Sequence, residues 1–242
     1  MATVRKSLAF RRLSTILKIM IVAFVIGVNI LIIWRMASSG DPKEIRTLMV
    51  NDATLKAYLD PEVPFEGYYQ EQNTITRTKE AYGYFSVTQV VILPSAHQVQ
   101  IVFRYNRSTV KHLQQDYGLE EMPSFDEDLY DVTLVLTEDL TPEDRGDNQD
   151  PQTIKLMRYY PSEVKKEQKS VYQYRRLVFD QVDITEDTIG AFVDVYYNRD
   201  IRYEESAYGT LCIYDDESER KTYVFSKRDM AALNAAADQN AD

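Results

Sequence analysis

Residues 99–105 read VQIVFRY. Val99, Ile101, Phe103 and Tyr105 fall on one side of an extended chain, and Gln100, Val102 and Arg104 on the other. Successive side chains of a strand point to opposite faces, so this spacing predicts a half-buried strand, one face on a core and the other toward water or a second layer. The same period of two recurs at Tyr130, Val132, Leu134 and Leu136, which alternate with Asp131, Thr133 and Val135. It recurs again at Ile189, Ala191, Val193, Val195 and Tyr197, alternating with Phe192, Asp194 and Tyr196. Residues 84–93, 153–160, 171–179, 208–214 and 221–225 are further candidate strands, rich in the Val, Ile, Tyr, Phe and Thr that suit a pleated surface.

Pro94-Ser95-Ala96-His97 reads as a turn between the first two strands, and the polar run 215–220 as one between the last two. Eight short strands joined mostly by turns, without regular intervening helices, exclude a βαβ sheet. The expected fold is mainly β: an antiparallel β-sandwich of immunoglobulin-like architecture, with an open barrel as the alternative. The chain has one Cys and one Trp, so the Cys–Trp–Cys signature of antibody domains is absent and the expectation concerns architecture alone. Two helices interrupt the strands. Ser108 is the expected cap of one that carries Val110, Leu113 and Tyr117 and closes at Gly118. Ser226 and Asp229 form a capping box opening a helix over 227–237, followed by a loose tail.

Toward the N-terminus the pattern changes. Ile19 to Trp34 reads IMIVAFVIGVNILIIW, sixteen residues without a charge. As a helix it covers about 24 Å, against roughly 30 Å for a bilayer core. Snorkelling by Lys18 and Arg35, and the apolar character of Ile16 and Leu17, extend it, and Trp34 falls where an interfacial aromatic belongs. Asn29 is read as a tolerated passenger. A cleaved signal peptide with Ala37-Ser38-Ser39 as cleavage site is the alternative; the length of the apolar run and the immediate Arg35 favour an uncleaved anchor. Five basic residues and no acid precede the span, which places the N-terminus in the cytoplasm and the rest outside.

The expected organisation is a basic cytoplasmic tail (1–18), a transmembrane helix (19–35), a juxtamembrane linker with short helix (36–81), the β-sandwich ectodomain (82–226) and a C-terminal helix and tail (227–242). In the linker, Asp41-Pro42 reads as a cap and first helical residue, and Ile45, Leu48, Met49, Leu55, Tyr58 and Leu59 recur at helical spacing. Asn51-Asp52 divides the helix, Pro61 and Pro64 end it, and its apolar face is expected to pack on the folded domain.

The charge follows this division. The chain holds 28 Lys+Arg and 38 Asp+Glu. Residues 1–35 take six of the basic ones and no acid, so 22 basic and 38 acidic residues remain beyond, a balance of −16. Such a body repels phosphate backbones and anionic headgroups, which excludes nucleic acid and general membrane-surface binding.

Little chemistry is legible. His97 lies in a turn and His112 on a short helix, Cys212 sits in a strand as a small buried hydrophobe, and no phosphate-cradling glycine loop occurs. The acidic stretch 138–150 offers Asp144, Asp147 and Asp150 as calcium ligands, but its spacing is not that of an EF-hand, and a solvated connection is the preferred reading. It also contains Arg145-Gly146-Asp147, to which no weight is given. Tyrosine is abundant, 18 in all, and Tyr159, Tyr160, Tyr172 and Tyr174 are the candidate binding residues, an aromatic surface for protein or sugar. Asn106-Arg107-Ser108 is a formal glycosylation sequon, relevant only in a secretory pathway. An outer domain without disulfides fits a bacterial envelope. The functional expectation is a non-catalytic, membrane-anchored extracytoplasmic binding or assembly module at the plasma membrane, without cofactor, with a protein or glycan partner. The alternatives are a carboxylate-dependent surface glycan hydrolase and a cleaved, secreted β-sandwich protein.

Overall fold

The computed structural model describes residues 17–33, 41–70, 85–139, 154–198 and 207–240. The chain divides into two compact units, Met1–Gly40 and Asp41–Asp242. In the first, residues 17–33 form helix α1, with every residue exposed. The Asn29 side-chain amide donates to the Val25 carbonyl at 2.7 Å, so the one uncharged polar side chain of the run is satisfied within its own helix. Among the described residues no helix is long and apolar enough to cross a membrane. Residues 34 and 35, which complete the expected span, and residues 1–16 lie outside the described residues.

The second unit is mainly β. Its strands are β1 (Tyr68–Gln70), β2 (Phe85–Leu93), β3 (Gln98–Asn106), β4 (Tyr130–Asp139), β5 (Ile154–Tyr159), β6 (Glu163–Lys169), β7 (Tyr172–Asp180), β8 (Thr188–Tyr197), β9 (Gly209–Asp215) and β10 (Arg220–Thr222). They form two antiparallel sheets, in the orders β10-β1-β2-β3-β7-β6 and β5-β4-β8-β9. All eight expected strands are present with their ends within three residues of the expected ones, and β1 and β6 are additional. The sequence of β6, EVKKEQK, has no apolar alternation. It is extended because a tight turn with Ser170 at φ 59° folds it onto β7, from Lys169 opposite Tyr172 to Glu163 opposite Val178. Its charges suit an edge strand, which they guard against stray pairing. The expected turn at 215–220 is present, closed by the Asp215 carboxylate accepting from Ser218, but it carries the chain from one sheet to the other rather than through a hairpin.

Val99, Ile101, Phe103 and Tyr105 meet Tyr130, Val132, Leu134, Leu136, Ala191, Val193, Val195 and Tyr197 in a single core shared by the two sheets. The opposite face of the first sheet is partly covered by a second layer. Helices α2 (Lys43–Arg46), α3 (Asp52–Leu59) and α5 (Lys227–Asn240) cover it. Ile45 packs on Val102 and Tyr174, and Leu48 joins Val91, Leu93, Ala57, Ala96 and Leu233. Burial of these two side chains stabilises the layer by about 1.5–3 kcal/mol each.

Asn51 divides α2 from α3 as expected and caps α3, its side chain accepting from the Thr54 amide at 3.1 Å. Two other caps differ from expectation. Pro42, not Asp41, occupies the N-cap of α2, and Asp41 instead pairs with Arg104 at 3.3 Å. Helix α4 (Arg107–Asp116) is capped by Asn106 in a reciprocal box with Thr109, one turn-start earlier than Ser108, because strand β3 runs into the helix without a loop. The Ser226–Asp229 box opens α5 as expected, and the helix runs on to Asn240.

Candidate binding groove

The outward residues of β3 are Gln98, Gln100, Val102 and Arg104. Strand β7 sets Asp180 opposite Gln98 and Arg176 opposite Val102, and β2 sets Gln89 opposite Val102. Together they form a polar belt beneath residues 43–59. Arg176 is fully buried. It donates to the carbonyls of Ile45 (2.7 Å) and Arg46 (2.8 Å) and to the side-chain oxygens of Gln100 (2.7 Å) and Gln89 (2.7 Å). All four acceptors are uncharged. Burial pushes the guanidinium down to about 10, with Tyr223 and Asp229 acting against that fall.

Gln100 grips the main chain of Met49, accepting from its amide at 3.0 Å and donating to its carbonyl at 2.7 Å. Asp229, buried on α5, accepts from the Leu48 amide at 2.7 Å, the Ser226 amide at 2.7 Å and the Tyr223 hydroxyl at 3.2 Å. Gln98 donates to Asn51 (3.0 Å) and Asp180 (2.7 Å) and accepts from Thr54 (3.0 Å). Asp180 also accepts from Asn51 and Ser162. Burial alone would raise the Asp180 carboxyl, but the hydrogen bonds from Ser162, Gln98 and Asn51 outweigh it and hold the group below the usual carboxylate range.

At the Asp180 end of this belt a groove of about 1150 Å³ opens. Helix α3 forms one wall, and the turn Pro94–His97 with the adjoining ends of β6 and β7 forms the rest. Its apolar lining is Ala53, Ala57, Val63, Pro94 and Ala96; its acidic lining is Asp52, Asp60, Glu163, Asp180 and Asp183. Lys56 is the one Lys or Arg among the lining residues, and His97 shares a hydrogen bond with Asp183. His97 and Gln181 both have left-handed backbones, φ 49° and 59°, which turn the chain sharply at the groove's margin. The chemistry offered is fixed negative charge beside small apolar side chains.

The four tyrosines expected to bind are not brought to one place. Tyr159, on β5 of the second sheet, is half-buried against the core, its hydroxyl 3.7 Å from the Met157 sulfur. Tyr160 is 69% exposed and lines a separate cleft of about 380 Å³ with Val164, Lys166 and Arg175. Tyr172 and Tyr174 do share a face of β7, ring centres 6.0 Å apart, but Tyr174 is fully buried beneath Ile45 and Tyr172 lies under the Arg104 guanidinium. Asp144, Asp147 and Asp150 lie outside the described residues. Among the described residues no group of three or more His, Cys, Asp or Glu is placed to hold a metal ion. His112 is half-buried on α4. Cys212 is half-buried with its sulfur 3.4 Å from the Tyr214 carbonyl, and burial raises its thiol.

The groove's carboxylates come from residues as far apart as 52 and 183, and no local pattern announces them. The legible signal was Gln98 and Gln100 on the outer side of β3, which marks a second layer. Comparison with protein-family models, with curated proteins and with solved structures gives no match.

Proposed function

We propose that the chain is a single-pass, membrane-anchored binding or assembly module whose acidic body stands outside the cytoplasm, in a bacterial envelope. The groove beside α3 carries this reading: a large opening with five carboxylates, Asp52, Glu163 and Asp180 of them on α3, β6 and β7, and small apolar walls. It holds a partner and performs no chemistry. The run from Ile19 to Trp34, its exposed apolar helix and the basic residues before it support the anchor and its orientation. One core shared by two antiparallel sheets supports an immunoglobulin-like sandwich as the scaffold.

The test is fractionation of cells expressing the chain with a tag at each end. The full-length chain is expected in the membrane fraction after alkaline washing. External protease is expected to remove the C-terminal tag and spare the N-terminal one. Full-length chain in the soluble fraction overturns the anchor, and cleavage of an envelope glycan by the purified chain overturns the non-catalytic reading.

A further inference from the structure

Residues 45–51 are held chiefly by their main chain. Arg176 takes two of their carbonyls, Asp229 the Leu48 amide, and Gln100 both polar groups of Met49. Ile45 and Leu48 plug apolar sockets, and Val50 packs half-buried beside Leu48's cluster. The surface below them is rich in polar side chains, Gln89, Gln98, Gln100, Arg176 and Asp180. An obligate core is apolar, whereas an interface that opens to water keeps polar groups that water can satisfy once it is open. Residues 43–59 are therefore a docked strap rather than part of the central core.

The strap and the groove share residues. Asn51, Asp52, Ala53, Lys56, Ala57 and Asp60 all belong to the strap or its exit and all line the groove. Asn51 and Asp180 line it together and bond to each other at 3.1 and 3.2 Å. A groove with this wall exists only while the strap is docked.

The lining also defines an occupant. Five carboxylates face one lysine, so the complementary charge is positive. The volume exceeds the roughly 300–1,000 Å³ usual for small-molecule pockets. Ala53, Ala57 and Ala96 leave room beside the charges for a peptide backbone.

We infer that the groove takes an extended, lysine- or arginine-bearing segment of a partner protein, and that seating of this segment and docking of the strap are one linked equilibrium. The inference rests on the binding-module reading and adds to it the partner's chemistry and a coupling. Linkage is reciprocal: a segment that binds only the docked form holds the strap down, and a variant that lowers the docked fraction weakens the segment in that proportion.

The experiment uses the full chain in nanodiscs of zwitterionic lipid and a fluorescent twelve-residue peptide of alternating lysine and alanine. Binding is read by anisotropy. Strap docking is read by hydrogen exchange at the Leu48 and Met49 amides, which donate to the Asp229 and Gln100 side chains outside the strap. The wild type is expected to bind, and saturating peptide to slow both amides at least fivefold. The triple variant Asp52→Asn, Asp60→Asn, Glu163→Gln is expected to bind at least tenfold more weakly. Leu48→Ala, which does not line the groove, is expected to speed the strap amides and to weaken the peptide in proportion to the fall in docked fraction that the exchange reports; if it does not fold, Leu48→Val replaces it. Binding that leaves both amides unchanged overturns the coupling while the groove stands. No binding by the wild type, or full binding by the triple variant, overturns the groove itself, because general attraction to an acidic body does not depend on these residues.

Discussion

Replacing Arg176 with Met removes the guanidinium that joins the strap to the first sheet. Its charge is costly: a fall from 12.5 to about 10 corresponds to about 3 kcal/mol against the charged form. Its four hydrogen bonds act the other way, on the order of 1.5–3 kcal/mol each when the donor is charged. Two of the acceptors keep some compensation in the variant. Gln100 retains the Met49 amide, and the Gln89 side chain is only half-buried and can turn. The Ile45 carbonyl is left buried and unpaired. The balance is a net loss of about 3 kcal/mol. In urea denaturation of the full chain in detergent, followed by tyrosine fluorescence, the midpoint should fall by about 1–2 M. Arg176→Lys should not restore it, since an ammonium cannot reach four acceptors set around a planar fork. Buried ions replaced by apolar side chains sometimes leave stability unchanged or raise it. If Arg176→Met lies within about 1 kcal/mol of the wild type, the main-chain clamp is not what holds the strap, and burial of Ile45 and Leu48 suffices.

Three further outcomes follow from the same packing. Asp229→Ala orphans the buried Leu48 amide and takes the acceptor from the Ser226 amide and from the Tyr223 hydroxyl, which keeps only its bond from Gln89, and should cost about 2–4 kcal/mol, seen as a melting temperature lower by roughly 5–10 °C. Asp180 is held below the ordinary carboxylate range, so its contribution is present above its unfolded value and disappears as pH falls through the folded one. Urea midpoints between about pH 5 and pH 2 should decline less steeply in Asp180→Asn than in the wild type. At Gly190 a Cβ would stand 2.8 Å from the Phe192 ring and 3.0 Å from the Thr137 hydroxyl, so Gly190→Ala should destabilise by about 1–3 kcal/mol in the same denaturation assay.

The period of two made the large strands legible, because a residue such as Val99 or Val193 must choose a face and the core admits only apolar ones. The caps were legible where the side chain bonds within three residues, as at Ser226 and Asp229, and misread by a residue or two where a strand runs directly into a helix, as at Asn106. Strand β6 was not legible, since lysines and glutamates carry no period and only its partner β7 makes them extended.

By itself the order of residues determined the apolar N-terminal run, the acidic body beyond it and the two-faced strands, since each depends on neighbours one to four positions apart. The partners of the outer face were settled only in three dimensions. Arg176 reads locally as a solvated strand charge, and it is buried because Ile45, 131 residues away, brings a carbonyl to it. The groove has the same origin: its carboxylates converge when α3 docks beside the turn at His97, and side-chain chemistry carries no record of which distant segment will close over it.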